Sequence, residues 1–161
     1  MIPEPAMISY APDAPDRADV RTLLEEHLAD MFATSPAESV HALDVGALAG
    51  PAISFWTARE NGTLLGCGAL KDLGAGGAEI KSLRTARPAR GRGVAGGLLG
   101  RLLAEARERG FGRVSLETGS QDYFAAARRL YLRHGFTVCP PFADYSADPN
   151  SVFMTLELSE G

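Results

Sequence analysis

The segment from Glu79 to Gly110 constrains the fold of this chain more than any other. It starts with the strand-like run EIKSLRTA, passes through the loop RPARGRGVAGG and continues as LLGRLLAEARERG. In the last part, apolar residues recur at the spacing of one helix face: Val94, Leu98, Leu99, Leu102, Leu103 and Ala106. The pattern predicts a strand, a glycine-rich loop and a helix in direct succession.

The loop of this unit has the composition of an anion-binding site. Gly91 and Gly93 let backbone N–H groups turn towards one point, where the unpaired first-turn donors and the positive dipole end of the helix also lie. Such a geometry binds phosphate. Four arginines occur in the nine residues from Arg84 to Arg92, and no acidic residue lies among them. A solvated basic loop that caps the helix is the competing interpretation.

Glycines inside the predicted helix favour the ligand interpretation. Gly96, Gly97 and Gly100 lie in its first two turns, and each is about 1 kcal/mol less favourable than alanine there. A combined cost of roughly 3 kcal/mol needs a compensating interaction. The close approach of a ligand or of a neighbouring strand supplies one.

Three classes of phosphate-binding site are candidates for this unit. A P-loop is excluded, because no Gly-Lys-Ser/Thr sequence follows the loop. A dinucleotide fingerprint, G-x-G-x-x-G, is present at Gly91, Gly93 and Gly96, and Glu117 ends a following strand where a ribose-binding carboxylate would lie. Two observations weigh against a dinucleotide site. The loop is crowded with arginines, and the unit begins near residue 79, which leaves too little chain for the usual dinucleotide-binding sheet of two βαβ halves. The third class is an acyl-coenzyme A site.

The residues of the loop resemble the GNAT superfamily of N-acetyltransferases. The signature of that family is Arg or Gln, two residues, Gly, one residue, then Gly or Ala, and Arg90, Gly93 and Ala95 match it in place. The likeness continues through the strand RVSLET and the segment ARRLYLRHGF, and it covers roughly residues 53–158. One departure is the sequence GSQD after the second strand, where many members carry an asparagine that contacts the cofactor.

The resemblance implies the fold and the cofactor. The fold class is α/β (α+β), a single-domain GNAT-like fold with a mixed, mostly antiparallel sheet of about six or seven strands flanked by helices. A splayed parallel pair of strands lies at its centre. The cofactor is acetyl-CoA, with its pyrophosphate on the loop amides and its pantetheine paired with the preceding strand. The cofactor-binding residues implied are Leu83, Arg84, Thr85, Arg90, Gly91, Arg92, Gly93, Val94 and Ala95.

The activity implied is transfer of an acetyl group to a primary amine of a small molecule, an amino acid-like one among the candidates. An alkyl amine is neutral in only about one part in a thousand at pH 7, so a carboxylate that removes its proton is needed. By analogy with the family, Glu79 is the expected base and Glu117, at the end of the adjacent strand, is its rival. Direct attack in a ternary complex is expected, because no cysteine or serine is set beside a base.

Tyr131 is the second expected catalytic residue. In the family, a tyrosine at this place uses its hydroxyl to protonate or hydrogen-bond the departing thiolate. A packed aromatic residue at helical spacing with Phe124, Ala127 and Leu130 is the competing interpretation. His134, near the end of the same helix, is expected to act as a cap.

The acceptor pocket is expected in two irregular segments. In the family, the region after the first helix forms a wall of this pocket, which makes Ser39, His41 and Asp44 candidates for substrate contact. A solvated connection is the alternative. Tyr145, in the loop PPFADYSADPN, is expected to reach over the pocket, with a plain surface turn as the alternative, and Glu117 is expected to face the same cleft.

Composition narrows the class of protein. The 161 residues suit one domain, with residues 1–6 as a disordered tail and residues 7–161 as a single acetyltransferase domain. The net charge of -4 and the confinement of positive charge to the loop exclude nonspecific nucleic-acid binding. Because the chain has neither a signal-peptide pattern nor eighteen consecutive apolar residues, we expect a cytoplasmic protein without membrane contact.

Cysteine and histidine usage indicates structural roles. Cys67 and Cys139 lie in apolar, strand-like contexts and are expected to be buried thiols. The three histidines are scattered without ligand spacing, so no metal is expected. His27 falls on the apolar face of a predicted helix and is expected to be a structural residue.

Local signals also predict a helix start and a hairpin. Asp13 or Asp16 is expected to cap the first helix, which runs to about Phe32. The Asn61-Gly62 pair between apolar runs is the strongest short-range signal for a β-hairpin.

Other functions stay open at this point. A nonenzymatic acyl-CoA-binding module that regulates a partner would need the same loop, and an NAD-dependent enzyme remains the less favoured alternative. An acidic protein also suits a basic peptide N-terminus or lysine as acceptor. Dimers are common in the family, so a homodimer is open as well.

Overall fold

The chain is described by a computed structural model that covers residues 7–41 and 45–158. Its strands form one seven-stranded sheet in the order β1-β2-β3-β4-β5-β7-β6. All neighbouring pairs in that order are antiparallel except β4 and β5, which run parallel. The mixed, mostly antiparallel sheet that the resemblance implied is therefore confirmed. The strands are Ser9–Pro12 (β1), Ile53–Glu60 (β2), Thr63–Gly74 (β3), Gly77–Thr85 (β4), Arg113–Gly119 (β5), Thr137–Val138 (β6) and Ser151–Glu157 (β7).

Helices and short 3-10 turns connect these strands. The helices are Ala18–Thr34 (α1), Val45–Leu48 (α2), Val94–Glu108 (α3) and Ala125–Arg133 (α4), and the 3-10 turns are Ala37–Ser39, Arg87–Ala89 and Asp122–Phe124. The predicted strand, loop and helix unit is thus present as β4, the second turn and α3. All six apolar residues of the predicted stripe on α3 are buried.

The core lies on both faces of the sheet. Because successive strand residues point to opposite faces, Ala69 and Leu70 of β3 join different clusters. Leu70 packs with apolar residues of α3 and α4, and Ala69 packs with those of α1 and α2. The sheet therefore separates an α1/α2 side from an α3/α4 side.

The central parallel pair is short, and this creates an opening in the sheet. Pairing runs from Gly77 with Arg113 to Ile80 with Leu116. Beyond that point β4 continues to Thr85 and β5 to Gly119, each still paired with its outer neighbour. The unpaired continuations, residues 81–85 of β4 and residues 117–119 of β5, are called the fork below.

A β-bulge marks the β4 arm of the fork. The register of β3 against β4 shifts between Cys67 and Ala69, so that Ser82 and Leu83 both lie opposite Gly68. Ser82 has a φ of +53°, a left-handed conformation that non-glycine residues rarely adopt. The bulge changes the direction of β4 where it leaves β5.

Two local predictions have different outcomes. The hairpin is confirmed, with Asn61 and Gly62 at φ +50° and +82° between β2 and β3. The predicted cap of α1 is wrong, since Arg17 is the N-cap residue and no side chain caps the helix. Asp13 instead accepts hydrogen bonds from Thr57 Oγ1 and Arg59 Nε of β2, because it lies beside that strand.

One of the three helix glycines has a clear packing reason. A Cβ atom on Gly97 would lie 2.0 Å from the hydroxyl of Tyr10 in β1, so a side chain there would have to displace the Tyr10 ring. Around Gly100, by contrast, a Cβ atom would meet nothing within 4 Å. The close approach that the sequence predicted is found at Gly97.

Candidate active site

The loop between β4 and α3 presents a row of backbone donors. Gly91 and Gly93 have φ of +83° and +78°, and a Cβ atom on either would point into open space. Gly93 is the N-cap of α3, and no side chain caps the helix. Among the described residues, the amides of residues 91–96 find no acceptor. These six N–H groups are therefore available to an external anion.

The loop arginines are only partly free, because acids from other elements reach them. Arg84 Nη2 lies 2.7 Å from Asp30 Oδ2 of α1, and Arg87 also pairs with Asp30. Arg92 pairs with Glu60 of β2. Arg90 is exposed and has no acidic partner in the part of the chain that the structure describes. Of the predicted cofactor-binding side chains, Arg90 is thus the available cation.

Glu79 and Lys81 form a buried cluster with Tyr145 on the α1/α2 side of the sheet. Glu79 is 3% exposed and Lys81 8%. The hydroxyl of Tyr145 donates to Glu79 Oε2 at 2.6 Å, and Lys81 Nζ donates to that hydroxyl at 2.9 Å. Lys81 Nζ also lies 3.4 Å from Glu79 Oε2. Glu79 is therefore a buried carboxylate, held by Tyr145 of loop 140–150, although it lies near the start of β4.

Glu117 opens the β5 arm of the fork and borders a small cavity. This fork cavity, of about 60 Å³, is also lined by Ser82 and Gly119 of the fork, by His27 of α1 and by His41. Burial raises the pKa of Glu117 above its ordinary value, although the charge of Lys81 opposes the rise. A carboxylate with a raised pKa is a stronger base than one in water.

A second, larger recess lies beside the fork cavity. This outer groove, of about 650 Å³, is lined by Glu79 and Lys81, by residues 71–73 of β3 and by residues 143–148. His41 and Lys81 line both spaces. Glu79 therefore faces the outer groove while Glu117 faces the fork cavity.

Tyr131 lies on the α3/α4 side, 7% exposed and packed edge to face against Phe136 at 5.9 Å between ring centroids. Its hydroxyl has no hydrogen-bond partner within residues 7–41 and 45–158. Burial and the negative charge of Glu117 raise the pKa of the phenol. The hydroxyl therefore stays protonated at neutral pH and is a donor.

The predicted acceptor-pocket residues come together in part. Ser39 Oγ lies 2.5 Å from Asp148 Oδ2, and the His41 ring meets the Tyr145 ring edge to face at 4.9 Å. Ser39 and His41 both line the fork cavity. Asp44 lies outside the described residues.

Comparison with known proteins decides the family. The model of the acetyltransferase (GNAT) family matches residues 20–136. The chain belongs to the GNAT family of acetyltransferases. It is 52% identical over 139 residues to YsnE of Bacillus subtilis, described as an uncharacterized N-acetyltransferase, covering 86% of this chain and 92% of that protein. The chain is accordingly an acyltransferase of the N-acetyltransferase type.

Solved GNAT structures share the fold. A putative acyl-CoA N-acyltransferase from Klebsiella pneumoniae superposes with a TM-score of 0.78 at 30% identity, over 95% of this chain and 99% of that chain. The putative acetyltransferase yncA from Salmonella typhimurium, solved with its cofactor acetyl-CoA, gives a TM-score of 0.71 at 23% identity, over 96% and 95% of the two chains.

Acetyl-CoA is the cofactor of GNAT acetyltransferases, and the residues of this GNAT chain fit it. The free amides of residues 91–96 and the exposed Arg90 match a diphosphate in charge and donor number. Among the described strands, none lies beside residues 81–85 of β4 on the fork side, so this backbone edge is open to an extended chain carrying amides.

Several residues of the site give only a weak signal in the sequence. Lys81 shares strand parity with Glu79, which predicts that they share a face, and their contact confirms it. Ser82, Asp30 and Asn150 carry no motif. Only the folded chain brings them together near the fork, because they lie far apart from one another in sequence.

The cysteines and two of the histidines largely have the environments that the sequence predicted. Cys67 is buried, and burial raises the pKa of its thiol to about 12; Cys139 is only half-buried. His27 is buried as predicted, and His134 is the C-cap of α4, with its Nδ1 3.0 Å from the carbonyl of Leu130.

Residues 7–41 and 45–158 contain no cluster of potential metal ligands. None of the described helices has the length and hydropathy to cross a bilayer.

Proposed function

We propose that the chain acetylates a primary amine of a small molecule, by direct attack in a ternary complex of enzyme, acetyl-CoA and acceptor. The observation that carries this proposal is the fork. Free amides of residues 91–96 lie beyond its β4 arm, and two carboxylates, Glu79 and Glu117, border it on the α1/α2 side. The small fork cavity supports a small acceptor group rather than a folded protein surface.

The cofactor would be held mainly by backbone. The amides from Gly91 to Ala95 and the side chain of Arg90 would bind the diphosphate, and the open edge of β4 from Leu83 to Thr85 would pair with the pantetheine amides. Arg84 and Arg92 would contribute through their backbones, because Asp30 and Glu60 hold their guanidinium groups. When bound, acetyl-CoA supplies the acetyl group as a reactive thioester.

Glu79 would accept the proton of the attacking amine through Tyr145. The phenol already donates to Glu79 Oε2 at 2.6 Å, so it can pass this proton to the carboxylate while its oxygen receives one from the amine. Burial and the charge of Glu79 raise the pKa of the phenol. Tyr145 therefore relays the proton without becoming a stable anion.

Glu117 would hold the acceptor before the transfer. Its carboxylate borders the fork cavity beside Ser82, where a charged ammonium group would be its natural partner. Ser39 and His41 line the same cavity and would position the rest of the acceptor. Glu117 also opposes ionisation of Tyr131 through its own charge.

Tyr131 would provide the proton for the departing thiolate, and the second proton of the amine nitrogen, lost as the amide forms, would restore the phenol. Its hydroxyl is protonated at neutral pH and has no partner in the described part of the chain. It lies on the opposite side of the sheet from Glu79 and Tyr145. Proton removal from the amine and proton donation to the sulfur would thus use separate groups.

Thiol release from acetyl-CoA, measured against a panel of primary amines, tests the proposal. We expect release that depends on an amine, and loss of that release in the Glu79→Gln, Tyr131→Phe double variant. Stabilisation by acetyl-CoA but not by NAD in a thermal-shift assay is expected as well. Amine-independent behaviour, or unchanged turnover in the double variant, would refute the assignment.

A further inference from the structure

We infer that the preferred acceptor is a diamine-like molecule, with one amine arm in the fork cavity, a second cationic group in the outer groove and no carboxylate. The inference rests on the proposed function and specifies its substrate class. Four features of the site support it: the shared lining of the two spaces, an unpaired hydroxyl, the pairing of the local cations and the charge of the groove.

The two spaces adjoin. His41 and Lys81 line both the fork cavity and the outer groove, so an acceptor seated in one would have its far end at the border of the other. The fork cavity is small, about 60 Å³, so it has room for the end of an acceptor and not for the whole of a larger molecule. The outer groove is about ten times larger and accommodates the remainder of the acceptor.

The fork cavity contains a polar group that lacks a partner. Ser82 is 9% exposed, and its Oγ atom is buried without a hydrogen bond in the described structure. A buried hydroxyl without a partner is destabilising and rare. The N–H group of an entering amine would supply the missing donor, since a serine oxygen accepts hydrogen bonds.

The cations around the fork cavity are already paired or neutral. Lys81 Nζ donates to the carbonyl of His41 at 3.0 Å and to the hydroxyl of Tyr145 at 2.9 Å, and it lies 3.4 Å from Glu79 Oε2, so its charge is paired. Arg84 is paired with Asp30. Burial lowers the pKa of His27 to about 4, so its ring is neutral. Of the described lysines and arginines, Lys81 is the one that lines this cavity, and because its charge is paired, no free lysine or arginine is left there for an acceptor carboxylate.

The outer groove favours a cationic group over an anionic one. Its described lining contains five carboxylates against two ammonium groups, and one of the two, Lys81, is neutralised by Glu79. Glu38 and Asp144 are exposed and have no ionic partner in the described parts of the chain. A hydrogen bond from Ser39 lowers the pKa of Asp148, which keeps it charged. A second ammonium group is attracted there, and a carboxylate is repelled.

Three amines with the same four-carbon chain test the inference: 1,4-diaminobutane, 1-aminobutane and 4-aminobutanoate. They differ only in the distal group, which is cationic, apolar or anionic. We expect kcat/KM to fall in that order, with about a tenfold difference or more between the first and the last. The difference should shrink at high salt, because exposed charges are screened within about 3 Å at 1 M.

Matched variants locate the effect. Glu38→Gln combined with Asp144→Asn removes two exposed carboxylates of the groove, and it should reduce the preference for 1,4-diaminobutane over 1-aminobutane several-fold. Glu108→Gln removes an exposed carboxylate at the far end of α3 and should leave the preference unchanged. Equal effects of both changes would indicate a general charge effect and overturn the groove assignment.

Binding separates failure of this inference from failure of the proposed function. Isothermal titration of the three amines into enzyme loaded with coenzyme A does not require turnover, and it should give the same order of affinity. Tighter binding of 4-aminobutanoate, or equal binding of all three amines, would overturn the diamine inference while leaving acetyl transfer intact. Binding in the expected order without any thiol release would support the inference and refute the catalytic proposal.

Discussion

The hydroxyl of Tyr145 donates a 2.6 Å hydrogen bond to Oε2 of Glu79, although 66 positions separate the two residues in the chain. The same hydroxyl accepts a hydrogen bond from Lys81 Nζ at 2.9 Å. Loop 140–150 is thereby fastened to β4 at the carboxylate that the sequence singles out as the base. Glu79 and Tyr145 both line the outer groove, which makes Tyr145 the first residue to test.

Removing the phenol oxygen should interrupt the proposed relay. We expect Tyr145→Phe to lower kcat about ten- to a hundredfold. A positioned proton-transfer group usually contributes about a hundredfold or more, and the expected loss lies at or below the lower end of that range. The KM for acetyl-CoA should not change, because the loop after β4 is untouched. Steady-state thiol release measures both quantities. Tyr10→Phe, which removes a hydroxyl near α3, is the matched control, and an equal loss there would point to folding instead.

The two carboxylates should separate by pH dependence. We expect Glu79→Gln to lower kcat about a hundredfold or more, and Glu117→Gln chiefly to raise the KM for the amine. Because the pKa of Glu117 is raised, its charged form is lost as pH falls through a range above that of an ordinary glutamate. The amine KM of the unmodified enzyme should therefore rise on acidification, and that rise should vanish in Glu117→Gln. The reverse pattern would make Glu117 the base.

Loss of the Tyr131 hydroxyl should affect chemistry and not stability. The hydroxyl has no partner within the described residues, so Tyr131→Phe keeps the packing against Phe136. We expect kcat to fall at least tenfold while the melting temperature stays constant. A less basic leaving thiolate, in an acetyl thioester of a more acidic thiol, should recover part of the loss. A melting temperature that falls with unchanged kcat would assign Tyr131 to the core alone.

The glycine at the start of α3 allows a controlled test of the cofactor loop. Gly93 and Gly110 have φ of +78° and +80°, and a Cβ atom on either meets nothing within 4 Å. Alanine at either position should cost about 1–2 kcal/mol of unfolding free energy, because the left-handed conformation disfavours a Cβ atom. Only Gly93→Ala should also raise the KM for acetyl-CoA. Equal KM values for acetyl-CoA in the two variants would show that the loop is not part of the acetyl-CoA binding site.

Local patterns predicted the elements that local physics determines. The spacing on α3 and the Asn61-Gly62 turn lie within single segments, where the chain itself supplies the partners, and both are found. The parallel β4–β5 pair followed from family resemblance, since no local pattern encodes which strands meet. The structure confirms this pair through the parallel register of β4 and β5.

Contacts between distant segments could not be predicted. Asp30 lies 54 positions before Arg84, and Glu60 lies 32 positions before Arg92, so the neutralisation of the loop arginines depends on how α1 and β2 pack. The left-handed Ser82 is equally hidden, because the bulge arises from the register against Gly68 and not from a residue preference of serine. Such features are set by tertiary packing.

The buried His27 should make stability depend on pH in a defined window. Burial, and secondarily the charge of Arg84, lower its pKa from 6.5 to about 4. Below pH 6.5 the unfolded chain binds a proton at this residue and the folded chain does not. The unfolding free energy should therefore fall by about 3 kcal/mol between pH 6.5 and pH 4 from this residue alone. Urea unfolding at several pH values measures the slope, and His27→Gln should lack this share of it. A second variant, His27→Leu, guards against a local defect, and equal slopes in all three proteins would contradict a neutral buried ring.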